Sequence, residues 1–182
     1  VLANIVGTLA ALAPGRVELG IGIGGHPAEH EAYGMAFPPA RERAERLEEA
    51  IAVLRALFTG GPVDYEGRYY QLREARAFPV PQPPPRLTVA GMRPAGARLA
   101  ARLGDAWTCF ADGYDQLRPV FEAELERVGR PRDDVGVVVG IEHGQVQEPV
   151  DELAARWAES GASELVIHDV GPEDVERIFR LL

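Results

Sequence analysis

Gly91-Met92-Arg93-Pro94-Ala95-Gly96-Ala97-Arg98-Leu99 follows directly on the apolar run Arg86-Leu87-Thr88-Val89-Ala90. The run reads as a strand. The stretch after it opens a helix, with Pro94 at a first-turn position where its missing N–H costs nothing. A strand that ends in glycine and turns at once into a helix leaves backbone N–H groups at the positive end of the helix dipole. Such a turn is an anion site, with phosphate its usual occupant. It is equally the plain strand-to-helix turn of any α/β fold. If backbone holds a phosphate here, the chain path matters more than the side chains. Gly91→Val is then expected to obstruct the turn, and Gly96→Ala to be harmless or stabilising, since alanine favours helix.

The pattern of this turn repeats outward along the chain. Leu2, Ile5, Val6, Leu9 and Leu12 fall at helical spacing, and Pro14-Gly15 stops that helix. Val17–Ile23 reads as a strand. Ala40–Phe58 reads as a long helix with Leu47, Ile51, Leu54 and Phe58 on one face. Its other face alternates Arg and Glu, which suits a solvated surface. Val63–Leu72 reads as a β-hairpin around Glu66-Gly67. Phe78–Pro85 holds five prolines and reads as an extended connector. After the strand at Leu87–Ala90 come a helix to Leu103, a strand Asp105–Phe110 and a helix Asp115–Val128 with Leu117, Val120, Phe121, Leu125 and Val128 inward. A strand Val135–His143, a helix Pro149–Ser160, a strand Glu164–His168 and a last helix carrying Val175, Ile178, Phe179 and Leu182 complete the pattern. Alternation with mostly apolar strands means a parallel sheet covered by helices. Five such strands fit either an open doubly wound sheet or part of a (β/α)8 barrel.

Composition narrows the function. The chain has 182 residues and a net charge of −9, which disfavours a nucleic-acid partner. No apolar run approaches membrane-spanning length, so neither nucleic acid nor membrane is expected as a partner; a cytoplasmic location is expected because the lone cysteine fits a reducing compartment and no signal peptide is visible. All 19 basic residues are arginine, which excludes Schiff-base chemistry and a P-loop lysine within the chain. A lone cysteine, Cys109, excludes an intrachain disulfide. The chain opens inside a helical pattern without methionine, as a truncated or processed domain would.

Several stretches together resemble the bacterial luciferase-like monooxygenase family. They are Gly15-Arg16-Val17-Glu18-Leu19-Gly20-Ile21-Gly22-Ile23-Gly24, Glu31-Ala32-Tyr33-Gly34, the Arg41–Arg46 helix, Tyr65-Glu66-Gly67-Arg68-Tyr69-Tyr70, Pro79-Val80-Pro81-Gln82-Pro83, Val89-Ala90-Gly91 and Gly104-Asp105-Ala106-Trp107. The resemblance implies an α/β fold, a luciferase-like TIM (β/α)8 barrel that binds FMN or coenzyme F-420 for monooxygenation or hydride transfer on a small organic substrate. Residues 1–182 would be the C-terminal portion of one barrel domain, about strands four to eight. A complete barrel needs roughly 250 residues.

By that resemblance, Gly91, Met92, Ala95 and Gly96 match the family's phosphate-binding turn. Gly24, Gly25 and His26 match the loop that runs beside the coenzyme, where glycine lets backbone approach the ligand closely. The first three strands, which carry much of the ring pocket and a histidine often tied to catalysis, have no counterpart here, so no catalytic residue is assigned. At most trace turnover is expected of the chain alone. A lysine-free, arginine-rich composition tilts the coenzyme towards F-420. The competing reading is non-enzymatic: a partial barrel that binds flavin or is stabilised by a partner. Exposed sheet edges and apolar surface make a homo-oligomer the expectation.

Histidine placement adds candidates. His26 and His30, four apart beside Glu29 and Glu31, lack a third convincing metal ligand and read as a solvated loop. His143 and His168 end the last two strands. In a barrel those ends line the mouth, so each is either a substrate-pocket residue or a hydrogen-bonded edge histidine. No metal site is expected.

Overall fold

The structure is a computed structural model that describes residues 1–146 and 148–171, in two units, Val1–Leu87 and Thr88–Leu182. The expected last helix lies outside the described residues.

In the first unit, helix α1 (Leu2–Leu12) has no charged residue. It buries its small side, Ala3, Val6, Gly7 and Ala10, and leaves Leu2, Ile5, Leu9 and Leu12 exposed. The reason is close approach: a Cβ on Gly7 would overlap the Pro79 carbonyl oxygen. Strand β1 (Glu18–Ile21) is followed by α2 (Pro27–Ala32), a six-residue helix where a loop was expected. Helix α3 (Ala40–Leu57) buries Leu47, Ile51, Val53, Leu54 and Leu57. On its solvated face Arg41 pairs with Glu45 and Arg46 with Glu42, one turn apart. Strands β2 (Val63–Glu66) and β3 (Gln71–Ala75) form the antiparallel hairpin. Glu49 of α3 ties the hairpin tip down. Its carboxylate accepts the backbone N–H groups of Arg68 (2.9 Å), Tyr69 (2.9 Å) and Tyr70 (3.1 Å). The Phe78–Pro85 connector forms no helix or strand.

In the second unit, β4 (Arg86–Ala90, which enters from the first), β5 (Ala106–Phe110), β6 (Gly136–Glu142) and β7 (Glu164–His168) lie parallel and in chain order. Their pairings carry Ala90 beside Thr108, Phe110 beside Gly140 and Glu142 beside His168, so all four C-terminal ends share one edge. Helices α4 (Pro94–Leu103), α5 (Ala111–Val128) and α6 (Val150–Glu159) connect the strands.

The core of this unit is aromatic. Trp107 is stacked on Phe121 with ring centroids 4.7 Å apart, Tyr114 lies 5.9 Å beyond Trp107, and Trp157 meets Tyr114 edge-on. Burying Phe121 alone is worth about 2 kcal/mol. Helix α5 starts four residues before the expected Asp115 because Tyr114 belongs to this stack and its hydroxyl donates to the Ser160 carbonyl at 2.7 Å. Pro119 is tolerated inside α5. Leu117, Phe121 and Leu125 are buried as expected, and Val120 and Val128 only half-buried.

Candidate functional site

Gly91 sits where β4 ends, but its amide is not free. The Gly91 N–H donates to the Thr108 carbonyl at 2.9 Å, extending the ladder between β4 and β5. Its own carbonyl accepts the Trp107 indole N–H at 3.1 Å, a partner the sequence did not reveal. The glycine serves packing instead. A Cβ there would stand 2.5 Å from the Gly96 carbonyl carbon and 2.7 Å from the Ala97 nitrogen. Gly96 answers it: its own Cβ would meet the Gly91 Cα at 2.7 Å. The expectation that Gly96→Ala is harmless is therefore corrected, since backbone fills the space a methyl would need.

What remains for an anion is the start of α4. Arg93 is the N-cap and makes no side-chain cap bond, and Pro94 is the first helical residue. Ala95 and Gly96 come next, with N–H groups that have no acceptor inside the helix; the first helical bond is the Ala97 N–H to Arg93 carbonyl, at 3.0 Å. Met92, Arg93, Pro94 and Ala95 are exposed. An uncapped, solvent-facing start of a ten-residue helix fits a phosphate by the chemistry of its donors.

The other strand ends of this unit gather a second group. The Phe110 ring lies 5.5 Å from the His168 ring. Both pack over Gly140, where a Cβ would come within 2.7 Å of His168 Nε2. A hydrogen bond to Asp169 is the chief cause that raises the Glu142 carboxyl above its ordinary range, with burial and the Asp169 charge acting the same way. Asp169 takes a left-handed backbone, φ 56°. Asp112 Oδ1 accepts the Gln145 side-chain amide at 3.0 Å. His168 ends β7 as expected. His143 does not end β6; it opens a 3₁₀ turn, His143–Gln145, capped by Glu142. The signal missed was the Glu142/Gln145 capping box, which opens the turn and so ends the strand one residue before the histidine. The Glu142–Asp169 pair was also missed, because two residues far apart in sequence meet only through the β6–β7 register.

Gly24, Gly25 and His26 belong to the first unit and are all exposed. Gly24 has φ +78°, a conformation that glycine adopts without strain. His26 caps α2, and its carbonyl accepts His30 Nδ1 at 3.1 Å. Cys109 is buried inside β5, and burial pushes its thiol up to about 12, so it is inert as a nucleophile. Among the described residues no three His, Cys, Asp or Glu side chains are placed to hold a metal ion, and no helix is long and apolar enough to cross a membrane.

The family model for luciferase-like monooxygenases matches residues 1–159. The chain belongs to the luciferase-like monooxygenase family. An F420-dependent glucose-6-phosphate dehydrogenase of Intrasporangium calvum is 35% identical over 188 residues, covering 98% of this chain and 56% of that protein. A protein of the same description from Beutenbergia cavernae is 41% identical over 109 residues, 60% of this chain and 32% of that protein. The luciferase-like chain thus spans about half the length of the curated relatives it matches. Among solved structures, an F420-dependent secondary alcohol dehydrogenase in complex with an F420-acetone adduct superposes with a TM-score of 0.70 at 22% identity, covering 99% of this chain and 66% of that one. EDTA monooxygenase from Chelativorans sp. BNC1 gives 0.65 at 24%, covering 89% and 45%. These likenesses show the fold, part of a luciferase-like (β/α)8 barrel.

Proposed function

We propose that this luciferase-like chain carries the phosphate-binding side of a coenzyme site, in an oxidoreductase that uses F-420 or FMN on a small organic substrate. The observation that carries the reading is the uncapped start of α4, set directly after a strand that ends in a buried, interlocked glycine. The N–H groups of Met92, Ala95 and Gly96 would hold the coenzyme phosphate. Gly91 fixes how closely the helix approaches the strand. Gly24, Gly25 and His26 of the first unit are assigned to coenzyme binding by the family resemblance alone. When bound, a flavin or deazaflavin supplies a ring that exchanges hydride. Phe110 and His168, with ring planes 60° apart, offer an angled aromatic wall for the substrate's carbon skeleton. Glu142 and Asp169 bring two carboxyls together at the same strand ends.

F-420 is favoured over FMN because the curated relatives named above are described as F420-dependent. The exposed apolar stripe of α1 supports a homo-oligomer. Fluorescence titration of the protein with F-420 and with FMN tests the coenzyme. The expected result is micromolar or tighter binding of F-420, at least about tenfold tighter than FMN. Equal or stronger binding of FMN would reverse the coenzyme, and no binding of either would remove the function.

A further inference from the structure

A cleft lies wholly within the first unit, beside the end of β1. It is open to solvent and offers about 320 Å³, and its lining includes Ile23, His30, Pro38, Arg43, Arg46 and Tyr70. That volume suits a small metabolite. Arg43 is fixed there from three sides. Its Nε donates to the Ile23 carbonyl at 3.1 Å, its Nη1 donates to the Pro38 carbonyl, and its guanidinium lies 3.7 Å from the centre of the Phe37 ring. Neutral carbonyls and a ring orient this cation without cancelling its charge. Among the described residues its Nη2 has no hydrogen bond. Arg46 stands at i+3, on the same side of α3. It bonds Glu42 through Nε and Nη2 and lies 4.6 Å from the centre of the Tyr69 ring. Two guanidiniums and no carboxylate line the cleft itself; Glu42, Glu45 and Glu49 lie beyond the lining, engaged by Arg46, by Arg41 and Arg68, and by backbone N–H groups. Tyr70 adds a hydroxyl, and His30 a ring whose Nδ1 is already engaged by the His26 carbonyl.

We infer that this cleft binds a small oxyanion, a carboxylate or a phosphate, between Arg43 and Arg46. A fixed guanidinium is pre-organised for planar, two-point contact with such groups. Arg46 is the adjustable partner: an entering anion competes with Glu42 for it. The assignment does not rest on the coenzyme turn at the start of α4, although Ile23 and His30 flank the Gly24–His26 loop.

The test is amide NMR of the 182-residue chain at low ionic strength, titrated with inorganic phosphate and, separately, with succinate. Shifts centred on Ile23, His30 and Tyr70 that saturate at roughly millimolar concentration are expected with at least one of them, and the stronger binder identifies the group. Glu42→Gln removes the internal competitor and should tighten binding about threefold to tenfold. Arg46→Gln should weaken it about tenfold, the value of one charge-assisted hydrogen bond. Both positions lie on the solvated face of α3, so circular dichroism should match the parent. Should either variant misfold, weakening of the parent's binding by about 0.3 M sodium chloride carries the test, because the contact is ionic. Absence of shifts up to about 20 mM, or binding indifferent to Arg46→Gln and to salt, would overturn the inference. Shifts confined to Met92–Gly96 would also overturn it, while leaving the coenzyme turn supported.

Discussion

Gly91 and Gly96 show at single residues what the sequence conveyed and what it hid. The turn itself was legible, because a glycine after an apolar run and a proline at the first helical position are local signals. The contact between the two glycines was not, because it depends on how closely a helix lies against the strand before it. Helix propensity favours alanine at position 96, but the Gly91 Cα stands 2.7 Å from where its methyl would sit. Tertiary approach outweighs propensity here. Gly96→Ala should therefore lower unfolding stability by about 1–3 kcal/mol, the usual cost of overpacking, as read from urea denaturation. An unchanged or raised midpoint would contradict the close approach.

Periodicity locates the helices and strands of ordinary length, with ends that shift by a few residues. Helix α2 escapes it because six residues give too little periodicity to detect. The link between α4 and α5 was invisible for a different reason. Glu124, on the inward side of α5 among apolar neighbours, accepts hydrogen bonds from Arg127 of the same helix and from Arg102 of α4. The Arg127 bond chiefly, with Arg102 adding to it against the opposing effect of burial, holds its carboxyl at about 2, below the ordinary 4.5. A depressed carboxyl stabilises the fold fully above its unfolded value and loses that contribution as pH falls from about 4.5 towards 2. Glu124→Gln should cost about 1–2 kcal/mol at about pH 7, allowing for the solvent exposure of the arginines. It should also flatten the loss of stability between about pH 5 and pH 2.5. Parallel pH profiles for variant and parent, from denaturant midpoints, would show that the carboxylate does not clasp the helices.

For the whole molecule, the ordered set of stretches from Gly15 to Trp107 was enough to place the family, because a family leaves its mark on turns and glycines spread along the chain. The surface was harder to read. Leu2, Ile5, Leu9 and Leu12 follow the alternating spacing of the seam between paired helices, yet this side of α1 faces outward and the small residues face in. A charge-free helix with an exposed apolar stripe favours association. Sedimentation of the 182-residue chain should show a dimer or larger species. Ile5→Glu combined with Leu9→Glu should shift the population towards monomer, because two carboxylates would have to be buried for the stripe to pair. A monodisperse monomer of the parent would contradict the prediction.

The proposed function rests on the start of α4 holding the coenzyme phosphate. Titration of the protein with intact F-420 and with its dephosphorylated form, followed by backbone amide shifts, tests this most directly. Shifts at Met92, Ala95 and Gly96 are predicted with the intact coenzyme. Affinity should be roughly tenfold to a hundredfold weaker without the phosphate, the worth of one or two charge-assisted hydrogen bonds. Equal affinity for the two forms, with those amides unmoved, would contradict it.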